Sequence, residues 1–309
     1  MHLDEWRRDL QQGWQQMPHK GLFLALLAVW LALYHWLGNS TFGYKDTPSL
    51  FGWMNYAYGQ LEDDRHCKYI PLVVLALFWW KRKELMALQK KHWWPAIALV
   101  MLGLALHLLG FLVQQTRVSI AAFFVGLYGL TGLVWGKAWL KASFFPFVLF
   151  VFCLPLGTVA DTLTFPLRLL VTKISVGIAH ALGNDVIREG SLIFDPGRTF
   201  QYDVAPACSG IRSLTALVAL TTIYAFTSFR SIWKRGLILA LAVPLAIAGN
   251  VARITSILVV AQVFGNSAGL RMHDYGEFVF FSVAVVCVVL VGIWLGDSEK
   301  RGRQGAEAV

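Results

Sequence analysis

The feature that most constrains this chain is the recurrence, from Gly21 to Leu295, of apolar runs broken only by short polar or basic stretches. A run of about 20 apolar residues matches the hydrocarbon thickness of a bilayer, where each spanning segment must satisfy its own backbone polar groups. The runs lack the period-two alternation of a barrel strand, so helices are the expected solution. The predicted fold is therefore all-α, a polytopic integral membrane helical bundle. Candidate spans are 21–37, 69–80, 93–113, 120–135, 144–156, 210–228, 237–264 and 278–295. That makes about eight transmembrane helices, with seven as the alternative. Segments 69–80 and 144–156 are short, so their ends must extend into flanking sequence, tilt less, or meet thinned lipid.

Composition agrees with a membrane class, since 57% of the residues are hydrophobic and only 15% charged. A net charge of +9 could signal nucleic acid, but the basic residues sit in short clusters beside apolar runs, where orientation explains them better. No nucleic-acid partner is expected; membrane lipid is. With a cytoplasmic amino terminus, the clusters Lys81-Arg82-Lys83, Lys137 with Lys141, Lys234-Arg235 and Lys300-Arg301 all fall inside, and both termini are cytoplasmic. The expected location is the cell (inner) membrane, multi-pass. The first 20 residues include Asp4, Glu5 and Asp9, unlike a removable signal peptide, so the first apolar run is expected to stay as an anchor. Residues 1–296 read as one membrane domain and 297–309 as a cytoplasmic, disordered tail.

Two outside segments exceed simple turns. Residues 39–68 are polar and aromatic, fit for a surface cap or interfacial helix. Residues 158–207 open with Leu163, Leu167, Leu170, Ile174 and Ile178 at helical spacing, which predicts an outside amphipathic helix lying on the membrane. From Asp185 to Val204, β-forming residues punctuated by Gly190, Pro196 and Gly197 predict a small hairpin or extended element.

Chemistry concentrates in three places. In Pro206-Ala207-Cys208-Ser209-Gly210-Ile211-Arg212 a cysteine stands where an outside loop turns into a span. A helix amino terminus favours thiolate over thiol, and Arg212, four residues on, would share its face and lower the thiol pKa further. The plainer reading is a small packing residue beside an interfacial anchor. Arg253 lies inside the span 237–264, where a guanidinium is costly and turns towards protein or a wet cavity; a buried ion pair or a snorkelling side chain is the structural alternative. Asn250, three residues earlier, shares its face. His273 falls in the stretch Arg271-Met272-His273-Asp274-Tyr275-Gly276-Glu277, predicted as an outside turn. A lone loop histidine is usually just solvated. Topology, however, brings Cys208, Arg253 and His273 to one leaflet. A thiolate, an imidazole and a guanidinium are the parts acyl transfer from a peptide needs. Asp203 or Asp274 could orient the imidazole.

At these residues the chain resembles the exosortase/archaeosortase family, through the cysteine motif around Cys208, the Asn-x-x-Arg pattern of Asn250 and Arg253, and the following His273. The resemblance is specific across residues 203–280. It implies a cysteine transpeptidase that recognises exported proteins by a carboxy-terminal sorting signal: a short motif, a spanning helix and a basic cluster. Cleavage at the motif would pass the new carboxyl end through a thioester acyl-enzyme to an acceptor nucleophile. Cys208 would be nucleophile, His273 general acid/base, and Arg253 oxyanion stabiliser or thiolate partner, with Asn250, Arg212 and Asp274 supporting. The site would open to the outer face.

Rivals are weaker. Cys67 beside His66 could be another nucleophile or a disulfide partner, though an incidental role fits better. Cys153 and Cys287 sit in apolar runs as packing residues. His180 is a lone outside histidine. The cysteines and histidines show no metal-ligand spacing, and neither metal nor cofactor is expected. Two other functions fit some of these features: a hydrolytic intramembrane protease using the same site, and a non-enzymatic component of exopolysaccharide export or assembly.

Overall fold

The computed structural model describes residues 13–15, 17–41, 45–60, 62–156, 158–203 and 211–306, and divides the chain into two compact units, 1–155 and 156–309. It is nearly all-α. Four helical stretches are long and apolar enough to cross a membrane: Trp94–Leu112, Thr116–Trp135, Ile232–Phe264 and Tyr275–Gly296. Three further apolar helices, Lys20–Trp36, Ile70–Trp80 and Ser213–Ser228, are shorter. Seven of the eight candidate spans thus coincide with apolar helices. The remaining one, 144–156, does not form a helix of its own.

In the first unit the helices are α1 (Lys20–Trp36), α2 (Leu50–Gln60), α3 (Ile70–Trp80), α4 (Arg82–Ala87), α5 (Ile97–Leu112), α6 (Thr116–Trp135) and α7 (Lys137–Val148). The predicted fifth span is split between α7, with Pro146 inside it, and the 3-10 turn Leu149–Cys153. Proline has no N–H to donate and its ring crowds the preceding turn, so the helix tightens and ends soon after. Gly136, at φ +95°, reverses the chain between α6 and α7; a Cβ there would strike the carbonyl oxygen of Lys91. Small residues bring α5 and α6 together: a Cβ on Gly103 would stand 2.9 Å from the Gly126 backbone, and one on Gly110 would stand 2.9 Å from Ser119. Trp30 of α1 lies over Gly126 and donates its indole N–H to the Phe123 carbonyl at 3.1 Å.

The second unit holds α8 (Thr158–Ala181), a three-stranded antiparallel sheet β1 (Ile187–Glu189), β2 (Leu192–Phe194) and β3 (Gln201–Asp203), then α9 (Ile211–Ser228), α10 (Ile232–Phe264) and α11 (Asn266–Ala306). The extended element predicted after Asp185 is this sheet, in the order β1-β2-β3. The α8 stripe has an outcome of its own. Leu170, Ile174 and Ile178 are exposed, while Val171, Val176 and Ala179 pack with Val251, Ile254 and Leu258 of α10. Ser175 on that buried face donates to the Val251 carbonyl at 3.3 Å. Smaller side chains therefore face protein and the larger apolar ones face outward, the arrangement expected where lipid is the solvent.

Helices α10 and α11 form a hairpin that turns on Gly265, at φ +85°, whose N–H returns to the Ala261 carbonyl. The turn occupies one residue. The predicted outside loop before the last span is instead helix, since polarity alone does not stop helix formation and 266–277 contains no proline. Register follows from close approaches: Gly269 meets Ala261, Gly276 meets Arg253 and Gly249 meets Phe280. Exposed apolar side chains such as Phe264, Val283, Leu290 and Trp294 clothe this hairpin.

Candidate functional site

Arg253 is placed by α10, twelve residues before Gly265, hence roughly 18 Å below the hairpin tip at 1.5 Å per residue. Its side chain is 4% exposed and Asn250, one turn earlier, is 6% exposed. The guanidinium Nη2 donates to the backbone carbonyl of His273 at 3.2 Å. The same nitrogen lies 3.6 Å from Oε2 of Glu277, too long for a hydrogen bond but close for an ion pair. Gly276 faces the arginine stem, and a Cβ there would stand 3.6 Å from Cγ of Arg253, an ordinary contact.

The neighbouring donors are different. Nε of Arg253 and Nδ2 of Asn250 are buried donors without a partner. Both residues line a cavity of about 20 Å³, together with Ser213, Gly249, Glu277 and Phe280. That is room for about one water-sized group. An unsatisfied buried donor costs about 1–3 kcal/mol, and more where the group is charged. Two of them beside one small cavity make an acceptor-binding arrangement, ready for an oxygen carrying negative charge.

The structure thus brings Arg253, Asn250 and the His273 backbone together. His273 is half-buried, two turns into α11, and not at a helix start as its sequence context suggested. Cys208 lies outside the described residues, as do the side chains of Arg212 and Asp274. The flanks of Cys208 are nevertheless fixed. On one side Tyr202 of β3 donates its hydroxyl to Oδ1 of Asn266 at 2.8 Å, and its ring sits against Gly269. On the other side Ser213 lines the Arg253 cavity.

The rival candidates are bound up in structure. Cys67 is fully buried, with its sulfur 3.7 Å from Nε2 of His66 and its carbonyl 3.9 Å from the Cys153 sulfur. Burial pushes its thiol pKa up, with nearby Asp64 adding to the effect, the opposite of what a nucleophile needs. His180 pairs its Nε2 with the Val186 carbonyl at 2.7 Å, fixing the entry to the sheet. Asp195 accepts from the Phe200 N–H and the Thr199 hydroxyl, and those hydrogen bonds hold its carboxyl below the usual range. Glu277 is the residue that sequence reasoning left out. Once 266–277 is read as helix, it falls four residues after His273 and on the same face.

Apolar helices with outward apolar side chains, and a buried arginine beside a small cavity among them, mark a membrane protein. The sequence family described as Transmembrane exosortase (Exosortase_EpsH) matches residues 53–290. The chain belongs to the transmembrane exosortase family. No curated protein and no solved structure matches it.

Proposed function

We propose that this protein is a cysteine transpeptidase that cleaves carboxy-terminal sorting signals of exported proteins and passes the new carboxyl end to an acceptor. The observation that carries this reading is the pair of unpartnered donors, Arg253 Nε and Asn250 Nδ2, on a cavity that Ser213 also lines. Ser213 follows Cys208 by five residues, and Tyr202 precedes it by six. Each tether spans at most roughly 20 Å, a reach that supports Cys208 acting beside Arg253 and His273.

The Cys208 thiolate attacks the scissile carbonyl carbon, and the developing oxyanion is held by Arg253 and Asn250. The C–N bond breaks as the leaving amine takes a proton from His273, giving a thioester. An acceptor amine or water then attacks, His273 takes its proton, and the thiolate leaves. The seven apolar helices and the 137–153 rod would give eight crossings, with both termini cytoplasmic and the site opening to the outer face. The rod is roughly 28 Å long at helical rise, nearly the thickness of a hydrocarbon core.

Pulse–chase of a co-expressed host protein ending in motif, spanning helix and basic cluster tests the reading. Cys208→Ala should abolish processing, and Cys67→Ala should leave it intact. Continued processing by Cys208→Ala overturns the mechanism. Mass spectrometry of the product's carboxyl end separates transfer to an acceptor from hydrolysis.

A further inference from the structure

The two donors on the side-on fork of Arg253, Nη2 and Nε, are unlike. All its described contacts fall on Nη2, from the His273 carbonyl at 3.2 Å and the Glu277 carboxylate at 3.6 Å. Nε, the neighbouring donor of the same fork, has no partner, and Arg253 lines the cavity. His273 and Glu277 are four residues apart on one face of α11, so a single helix face holds one end of the fork. Gly276, between them, faces the arginine stem at ordinary contact distance. We infer that Glu277 is a positioning residue: its carboxylate is the fixed counter-charge that holds the Nη2 end of the Arg253 fork and leaves the Nε N–H to the substrate carbonyl.

Three features support the inference. An arginine side chain 5% exposed within an apolar helix calls for an opposite charge nearby, and Glu277 supplies one. At 3.6 Å the carboxylate attracts the guanidinium without using an N–H in a hydrogen bond, so donors stay free for substrate. The described polar side chains lining this cavity are those of Ser213, Asn250, Arg253 and Glu277, so Glu277 is the group there with a charge opposite to that of Arg253.

The inference rests on the transpeptidase reading, and the experiment separates the two. Processing of the same co-expressed sorting-signal protein is followed in Glu277→Gln, Glu277→Asp and Cys208→Ala, with membrane abundance measured for each. Glu277→Gln, close in shape but uncharged, should slow processing between about 10- and 100-fold at normal abundance, and Glu277→Asp should restore most of the rate. A wild-type rate in Glu277→Gln, or an equal loss in both variants, overturns the positioning role. Failure of Glu277→Gln to accumulate would assign the carboxylate to folding and overturn it as well. If Cys208→Ala still processes the substrate, the transpeptidase reading itself falls, whatever Glu277 does.

Discussion

Two helical hairpins, one in each unit, solve the same packing problem with opposite results. In the α5/α6 hairpin, glycines carry helix against helix: a Cβ on Gly129 would stand 2.8 Å from the Val100 nitrogen, and one on Gly103 2.9 Å from Gly126. Its buried polar pair, Nδ1 of His107 and the Ser119 hydroxyl, meets at 3.1 Å. Nothing in that contact calls for a ligand. The α10/α11 hairpin is tight at its tip, where Gly269 meets Ala261 at 2.8 Å, but loosens below it, to 3.6 Å at Gly276 and at Gly249. Its polar pair is charged, held further apart, and flanked by two donors without partners. Close small-residue contact makes a membrane hairpin; relaxing it by less than an ångström at one level leaves room for a site. In the first hairpin the polar pair satisfies itself, and in the second Arg253 Nε and Asn250 Nδ2 have no partner.

The largest expected effect sets these two polar pairs against each other. Arg253→Lys keeps the charge but removes Nε and the planar fork, so processing should fall about 10²- to 10³-fold. Unfolding in detergent should move little, because the ammonium still has Glu277 nearby. His107→Ala should do the reverse. It leaves the Ser119 hydroxyl buried and unpaired, at a cost of about 1–3 kcal/mol, while the processing rate per folded molecule is unchanged. A His107 variant that loses activity at full stability would break the distinction between a structural hairpin and a functional one.

Next in size is the packing itself. Gly103→Val forces branched carbon into the Gly126 backbone, which cannot yield as a flexible side chain would, so about 1–3 kcal/mol of stability should be lost. A thermal melt of the detergent-solubilised protein measures it. Unchanged stability would mean that α5 and α6 can separate, and that the contact does not define the hairpin.

Much of this was legible in the sequence, and the failures share a cause. Apolar runs located seven helices because hydrophobicity is a direct record of lipid contact. Arg253 stood out because a charge in such a run is conspicuous. Two boundaries were misread where polarity substituted for conformation. The stretch 271–277 was expected to be an outside turn before the last span, yet it is helical, and that change puts His273 and Glu277 on one face. Segment 144–156 was expected to be one span because it is apolar, yet Pro146 and the 3-10 turn Leu149–Cys153 divide it from within. On α8, periodicity says only that residues share a face; the exposure of Leu170, Ile174 and Ile178 depends on Ser175 and Val171 packing on α10. Glu277 was invisible for the same reason as the helix that carries it.

The smallest effect probes the looseness of the second hairpin. Gly249 lines the cavity, and a Cβ there would stand 3.6 Å from the Phe280 carbonyl, a contact any residue tolerates. Sterically, then, Gly249→Ala should be accepted, and alanine's better helix propensity should add about 0.5–1 kcal/mol of stability. The new methyl group, however, would occupy part of a cavity of only about 20 Å³, next to the Asn250 and Arg253 donors. Processing should slow even as the melting temperature rises. Stability and activity moving in opposite directions is what a space kept open for a substrate oxygen requires. A rise in both would show that the gap at Gly249 is only imperfect packing, and that the difference between the two hairpins lies in Arg253 and its partners alone.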